Sequence, residues 1–511
     1  MSLFKRLMIN SIAIYCARLF EGILQLAVLA FILSRVSRET YGAALMIMSI
    51  QAIVYIAREA LSKGTLKYIA EYNANSDFES VKKIFATSFI VQISIGLSGL
   101  VICFVIIPYT ATIFALPQSM NAEARWATIL LGFGIATAFA LSPWQATVFA
   151  YERYDLVSLA RVCGRVARAI FIVFLLIVFT HSLFCLVLAT ILGNIIELLV
   201  CIPIVNRLNP YLKLKLKNIS RHFGKAILKF SGLSILHTLS ALLFGQGSLY
   251  IAAHLISLDA VAGLGIIRTI TSLIGMVINQ VSHILVPISS RLEAQGDREK
   301  LLKLVIHGTT ITVFAGGAVM AGLVPCMDSL FFVWLGTSYI DLSNVAILLL
   351  TAEFILYSVD CIHSTLAGIN RVAVDGISDL VCTTLGLAIS IVFVYYTSLE
   401  LMGLAIGLFC ARFFRFFFIT VFGNMVLQIN LKSFIWTGYF RTYLLTFFVV
   451  GIAVIVYPLA KNWSTLLFEI AGSVTVFVML GVFFVVDSED LTRFKSFFFE
   501  SMHYIHNRIV W

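Results

Sequence analysis

The sequence predicts an all-α polytopic membrane protein of fourteen spans: two six-helix bundles arranged as parallel repeats, followed by two further helices. Three observations carry that expectation. Hydrophobic residues make up 60% and charged residues 12% of the 511, and the mean hydropathy is +0.99, outside the range of soluble globular domains. The apolar runs are near 20 residues with short connections, which suits membrane helices rather than the alternating strands of about 10 residues in a barrel. Finally, Ser76-Asp77-Phe78-Glu79-Ser80-Val81-Lys82-Lys83-Ile84 returns as Gly296-Asp297-Arg298-Glu299-Lys300-Leu301-Leu302-Lys303-Leu304, with Asp, Glu and Lys at an offset of 220.

In order, the spans are expected at 9–33, 41–60, 84–107, 124–150, 155–180, 182–205, 228–256, 260–289, 302–326, 342–368, 373–396, 400–427, 438–459 and 464–486. The first begins after Lys5 and Arg6 like a signal peptide, but Arg18 and Glu21 interrupt it and no small-residue cleavage site follows, so it reads as a membrane helix. An even number of spans puts both termini on one side. Loops on that side hold 23 lysines and arginines, against four (Arg35, Arg38, Arg125 and Lys461) on the other, so both termini are expected in the cytoplasm. The membrane is expected to be the inner (plasma) membrane. This asymmetry also accounts for most of the net charge of +10 and leaves no call on a nucleic-acid partner. The nine cysteines never form CxxC and lie almost wholly in apolar runs, so they read as small buried residues with no metal site and no disulfide framework.

The repeat sits between the second and third span of each half. Ser37-Arg38-Glu39-Thr40-Tyr41-Gly42 and Ser257-Leu258-Asp259-Ala260-Val261-Ala262 occupy equivalent outer turns at the same offset. Six spans is an even number, so the halves share one orientation. The expected organisation is a bundle over 1–206, a basic cytoplasmic linker over 207–226, a second bundle over 227–428, two extra helices over 429–490 and an interfacial cytoplasmic tail over 491–511.

The chemistry lies in the polar residues of the spans. There is no GxxxxGK[ST], HExxH or GxSxG, and the outer loops are short, which argues against an enzyme and gives no catalytic residue. Arg161, Arg165 and Arg168 fall within about 60° of one another on a helix, and Arg168 lies well inside the hydrocarbon. An intramembrane arginine costs roughly 2.5 to 3.5 kcal/mol on insertion scales, so such a stripe calls for a water-filled cavity, acidic partners or an anionic ligand. Further polar residues mark the first span (Arg18, Glu21, Gln25), the second (Gln51, Tyr55, Arg58), the eighth (Arg268), the tenth (Glu353, Tyr357, Asp360), the eleventh (Asp375, Asp379) and the twelfth (Arg412, Arg415). The first half has five membrane arginines against Glu21, Glu59 and Glu197. The second has three against Glu353, Asp360, Asp375 and Asp379. With the halves aligned at an offset near 218, Arg161 corresponds to Asp379, and a latch between the lobes is one reading of the pair. The bland readings are local: Arg18 and Glu21 neutralising each other, Arg58 snorkelling, Arg412 and Arg415 serving as counter-ions, and His237, His254, His283 and His363 packing by hydrogen bonds.

The 6+6+2 arrangement, Arg6 to Asn10, Glu39-Thr40-Tyr41-Gly42 and Ala70-Glu71-Tyr72 resemble the MOP exporter superfamily, whose MATE-like fold pairs two bundles around a central cavity. Within it the chain is most similar to the Wzx-type polysaccharide flippases. That resemblance implies a flippase for polysaccharide biosynthesis: a lipid-linked oligosaccharide on a polyisoprenyl diphosphate crosses by alternating access of an arginine-containing cavity. The carrier would be undecaprenyl, or dolichyl if Arg58-Glu59-Ala60 aligns the chain with eukaryotic members. Related lipid II flippases use arginines of helices 1, 2 and 8, which places Arg18, Arg58 and Arg268 beside Arg165 and Arg168 as substrate-binding residues. Arg161, Asp379, Glu353, Asp360 and Glu21 are the inter-lobe or ion-coupling residues. No cofactor is implied beyond a coupled proton or Na⁺. Partners would be the lipid-linked oligosaccharide, membrane lipids, and a polysaccharide polymerase or other assembly proteins. The first span lacks the Pro and Asp typical of multidrug MATE transporters. The alternative, a proton- or sodium-coupled exporter of small cations, needs an anionic cavity, and eight arginines against seven acids is a poor composition for that.

Overall fold

In the computed structural model, which describes residues 3–179, 182–233, 235–369 and 371–485, every described element is helical. Six long helices come first: α1 Leu3–Arg35, α2 Arg38–Ala74, α3 Phe78–Ile106, α4 Asn121–Ala150, α5 Tyr154–Val178 and α6 Ser182–Leu208. After the basic connection come α7 Arg221–Leu233, α8 Ile235–Leu242 and α9 Ser248–Leu255, then α10 Leu258–Ala294, α11 Arg298–Leu323 and α12 Met327–Leu335. The chain closes with α13 Ser343–Ser358, α14 Asp360–Gly368, α15 Val372–Tyr396, α16 Glu400–Leu427, α17 Arg441–Val456 and α18 Trp463–Phe484. The expected tail over 491–511 lies outside the described residues.

The repeat is a repeat of helix starts. Asp77 accepts from Ser80 N at 3.0 Å and Asp297 from Lys300 N at 3.2 Å, each satisfying an otherwise orphaned first-turn amide. The residue before each Asp is left-handed, Ser76 at φ 58° and Gly296 at φ 68°, so the chain reverses the same way twice. Lys82 pairs with Glu79 at 2.6 Å and Lys303 with Glu299 at 2.7 Å. The turns that open α2 and α10 match too: Ser37 Oγ accepts from Thr40 N at 3.2 Å and Ser257 Oγ from Ala260 N at 3.1 Å.

Among the described residues, ten helices are long and apolar enough to cross a membrane. Their exposed faces suit lipid: Leu97, Val101 and Val105 of α3 recur every fourth residue at 49%, 59% and 63% exposure. α5 stands outside that set, because any 18-residue stretch of it contains Arg161, Arg165 and Arg168. The chain is a multi-pass membrane protein.

The structure corrects the sequence reading at three places. α2 and α10 are 37 residues long, well beyond the ~20 needed to span, so Ala70-Glu71-Tyr72 lies on a helix and not in a loop. Polar Lys, Glu and Ala propagate a helix as well as apolar residues do, so a drop in hydropathy marks the membrane boundary but not the helix end. The seventh span carries a π turn at Leu243–Gly247. The tenth breaks at Val359, between α13 and α14.

The chain forms two compact units, Met1–Thr269 with Asp379–Leu408, and Ile270–Ser378 with Phe409–Trp511. In the first, Phe85 and Phe89 of α3 meet Trp144 of α4 edge-on at 5.1 and 5.4 Å. Thr65, Ser88 and Gln92 form a buried hydrogen-bonded group between α2 and α3. Arg38 pairs with Asp259 at 3.2 Å between the two equivalent turns that open α2 and α10. In the second unit, α11 packs against α17 and α18 around Ala321, Val449 and Phe477. Tyr443 OH donates to Ser358 Oγ at 2.7 Å, holding the residue at the break of the tenth span.

Candidate anion-binding site

The first unit gathers most of the membrane arginines. α5 presents Arg161, Arg165 and Arg168, and it packs closely on α6 at Gly164 and Gly193. A Cβ at Gly164 would lie 3.0 Å from Gly193 O, and one at Gly193 would lie 2.9 Å from Gly164 O and 2.7 Å from Arg168 Cβ. Only glycine allows that approach. It sets Arg168 against α6 at the level of Gly193. One turn along α6, about 6 Å, Glu197 lies over Gly164, its Oε2 3.4 Å from where a Cβ there would sit.

Arg168 is partly buried, and its Nε is inaccessible to water with no hydrogen-bond acceptor. The charged and polar groups that act on it are Arg165 and the phenols of Tyr41 and Tyr55, with no carboxylate among the described residues. A buried guanidinium normally has its donors satisfied. Here one is not, and the formal charge that acts on it, Arg165, repels it. Arg161 and Arg165 are exposed; Arg161 lies over the Phe149 ring at 5.5 Å and is under the influence of Glu197 and Glu21, with Arg18 and Arg58 as like charges. Arg18 and Glu21 of α1 therefore belong to this cluster.

Arg58 of α2 points into the unit. Its Nη1 donates to Ala138 O at 3.4 Å and its guanidinium stacks on Tyr55 at 4.5 Å. Its neighbour Glu59 is exposed and pairs with Lys63 at 3.0 Å. Gln51 donates to Tyr55 OH, as does Asn194 at 3.3 Å, so α2 and α6 jointly fix the ring beneath Arg58. Glu197 Oε1 accepts from Gln145 Nε2.

Arg268 of α10 donates from Nη2 to Ser248 Oγ at 2.5 Å and Phe244 O at 3.3 Å. The π turn supplies that carbonyl. Such a turn shifts the backbone ladder by one residue and recurs at functional sites. Gln25 of α1 reaches Thr269 at 3.5 Å.

The acids of the second half divide. Glu353 accepts from Arg412 Nε and Nη2 at 3.3 and 3.2 Å. Asp375, 1% exposed, lies 3.5 Å from Arg415 and 2.6 Å from His363 Nδ1. Arg412 and Arg415 are thus counter-ions to acids of the tenth and eleventh spans. Asp360 opens α14 and is among the charges acting on His363. Asp379 is buried at 2% one turn after Asp375 and belongs to the first unit, as does Arg161. One turn on from Asp379, Thr383 hydrogen-bonds Ser240 at 2.9 Å. His254 packs through Tyr250 O at 3.1 Å and Thr112 O at 3.3 Å; the side chains of His237 and His283 lie outside the described residues. Six of the eight described cysteines are buried, and no group of His, Cys, Asp and Glu arranged to hold a metal occurs among the described residues.

Sequence reasoning left two acids unassigned. Glu197 entered only as a charge to be counted, yet it sits among Arg58, Arg161 and Arg165. Glu469 of α18 is 8% exposed, with Oε2 and the neighbouring Ser473 Oγ lacking hydrogen-bond partners. A lone acid in the apolar run 463–484 was the available signal.

No family model matches the chain, and no curated protein matches it by sequence. Solved structures do match. A multidrug resistance MATE family transporter of the MOP superfamily, inward-facing, aligns at TM-score 0.68 and 18% identity over 81% of this chain and 96% of its own. The same kind of transporter in an outward-facing conformation gives 0.60 and 19% over 84% and 96%. Lipid II flippase MurJ, inward closed, gives 0.70 and 14% over 92% and 98%. At these identities the likeness establishes the MATE/MurJ-like fold.

Proposed function

We propose that the chain is a flippase for a polyisoprenyl-diphosphate-linked oligosaccharide, with Arg18, Arg58, Arg165, Arg168 and Arg268 receiving the diphosphate. The observation that carries this reading is Arg168: a membrane-embedded guanidinium with a buried, unaccepted Nε–H, flanked by Arg165 and two phenols and by no carboxylate. A diphosphate offers what is missing, since phosphate oxygens accept from guanidinium in parallel pairs and arginine keeps its charge when desolvated. Tyr55, held by Gln51 and Asn194, adds an aromatic and hydroxyl surface suited to sugar rings. The isoprenoid would stay in lipid while the lobes exchange access. The membrane would be the inner membrane of a polysaccharide-producing cell, with a polymerase downstream.

Return of the empty carrier would draw on a proton or Na⁺ at Glu353, Asp360 or Asp379, Glu353 exchanging its pairing with Arg412 for the ion. The similar MATE structures leave the fold compatible with small-cation export. The arginine cluster opposes it, because like charge repels a cationic substrate. In a strain that depends on the chain for surface glycan, Arg165→Ala with Arg168→Ala should abolish export while the protein still inserts, and Lys at both positions should restore only part. Normal export by the double Ala variant, or a drug-resistance profile without a glycan phenotype, would overturn the reading.

A further inference from the structure

Glu197 is the acid that the diphosphate reading leaves without a task. Its position is built. The glycine contact between α5 and α6 brings its Oε2 to 3.4 Å from the Cβ position of Gly164, and Gly164 shares a helix face with Arg161 three residues before and Arg168 four residues after. Gln145 of α4 donates to Oε1, fixing the carboxylate's orientation. The charges acting on it are Arg161, Arg58 and Arg165, with Glu21 opposed. Arg168 is not among them; it packs at Gly193, one turn further from the Tyr154 end of α5. The cluster is therefore graded. The carboxylate sits at Gly164, within the stripe, where Arg58, Arg161 and Arg165 act on it, while Arg168, packed at Gly193, has no carboxylate acting on it.

We infer that Glu197 is a built-in counter-anion that occupies the arginines Arg58, Arg161 and Arg165 when no substrate is bound and competes with the substrate's diphosphate for them. This rests on the anionic-headgroup reading above. Several arginines in a low-dielectric site repel one another strongly without an anion. A tethered carboxylate relieves that repulsion in the empty state, and it lowers affinity for the diphosphate by like-charge repulsion once the ligand arrives. A flippase needs that second effect: a cluster that binds its cargo too tightly does not release it. Arg168, on which no carboxylate acts, then supplies a contact that Glu197 does not weaken.

The test is equilibrium and kinetic binding of farnesyl diphosphate to the full chain in nanodiscs, for the parent, Glu197→Gln, Glu197→Asp and Arg168→Ala. Removing one negative charge from the site should tighten binding by about tenfold in Glu197→Gln, with release slowed and glycan export reduced. Glu197→Asp, which keeps the charge but withdraws it by one methylene, should show a smaller gain in the same direction. That variant decides the matter alone should Glu197→Gln fail to fold. Parent binding that depends on Arg168 with equal or weaker binding in the Glu197 variants overturns the counter-anion and leaves the site reading standing. No binding by the parent, or binding indifferent to Arg168→Ala, overturns the site reading and this inference with it.

Discussion

Arg168 shows how far a single side chain could be read in advance. Its spacing from Arg161 and Arg165 placed it on one helical face and deep in an apolar run, both of which follow from the 3.6-residue repeat. Its missing acceptor did not follow, because that depends on what α2 and α6 bring to it: Tyr41, Tyr55 and a glycine, with Glu197 one turn away. The caps of the two repeated helix starts give a pH prediction at the same scale. Asp77 is held below the usual carboxylate range by its hydrogen bonds with Ser80, and Asp297 by those with Lys300, side chain first and backbone second in each case. A depressed folded value stabilises fully above about pH 4 and is lost as pH falls through the folded value. Melting temperature should therefore drop more steeply below pH 4 in the parent than in Asp77→Asn with Asp297→Asn, since Asn caps without titrating. Parallel curves would show that these caps contribute nothing measurable through their charge.

At the scale of elements, hydropathy located the helices and glycine contacts decided how they meet. Gly164 and Gly193 were visible as letters, but nothing in sequence says that their backbones touch. Gly193→Val would drive a branched side chain into Gly164 O and Arg168 Cβ. Neither a carbonyl nor a helical Cβ yields easily, so the variant should lose about 1 to 3 kcal/mol and move Arg168 and Glu197 apart. Thermal unfolding in detergent, with farnesyl diphosphate binding on the surviving fraction, checks both; unchanged stability would mean that the helices separate without cost. The π turn at Leu243–Gly247 is a second feature of this kind, since the surrounding sequence reads as an ordinary apolar helix and only Arg268 reaching Phe244 O gives it a purpose. The counter-ion pairs Arg412 with Glu353 and Arg415 with Asp375 were anticipated as a class. Which acid met which arginine was settled by the packing of α13, α15 and α16.

At the scale of the molecule, the basic residues of the loops predict orientation. Reporter fusions or thiol labelling should find residue 215 of the linker and both termini on the cytoplasmic side, and residues 36 and 461 outside. The opposite result would invert the proposed direction of transport. What the sequence determined by itself is the class of structure: many apolar helices, a duplicated helix start at Asp77 and Asp297, and an excess of arginine in the first half. These are properties of composition and local periodicity, which no distant contact can alter. Tertiary structure decided the division of the chain, whose first unit takes in Asp379–Leu408 along with Met1–Thr269. It also decided which arginines have an anion beside them. Charge compensation acts over a few ångströms in a low-dielectric interior, so it depends on which helices touch, and α6 delivers Glu197 to Gly164 within the α5 stripe while Arg168 packs at Gly193 with its Nε unaccepted.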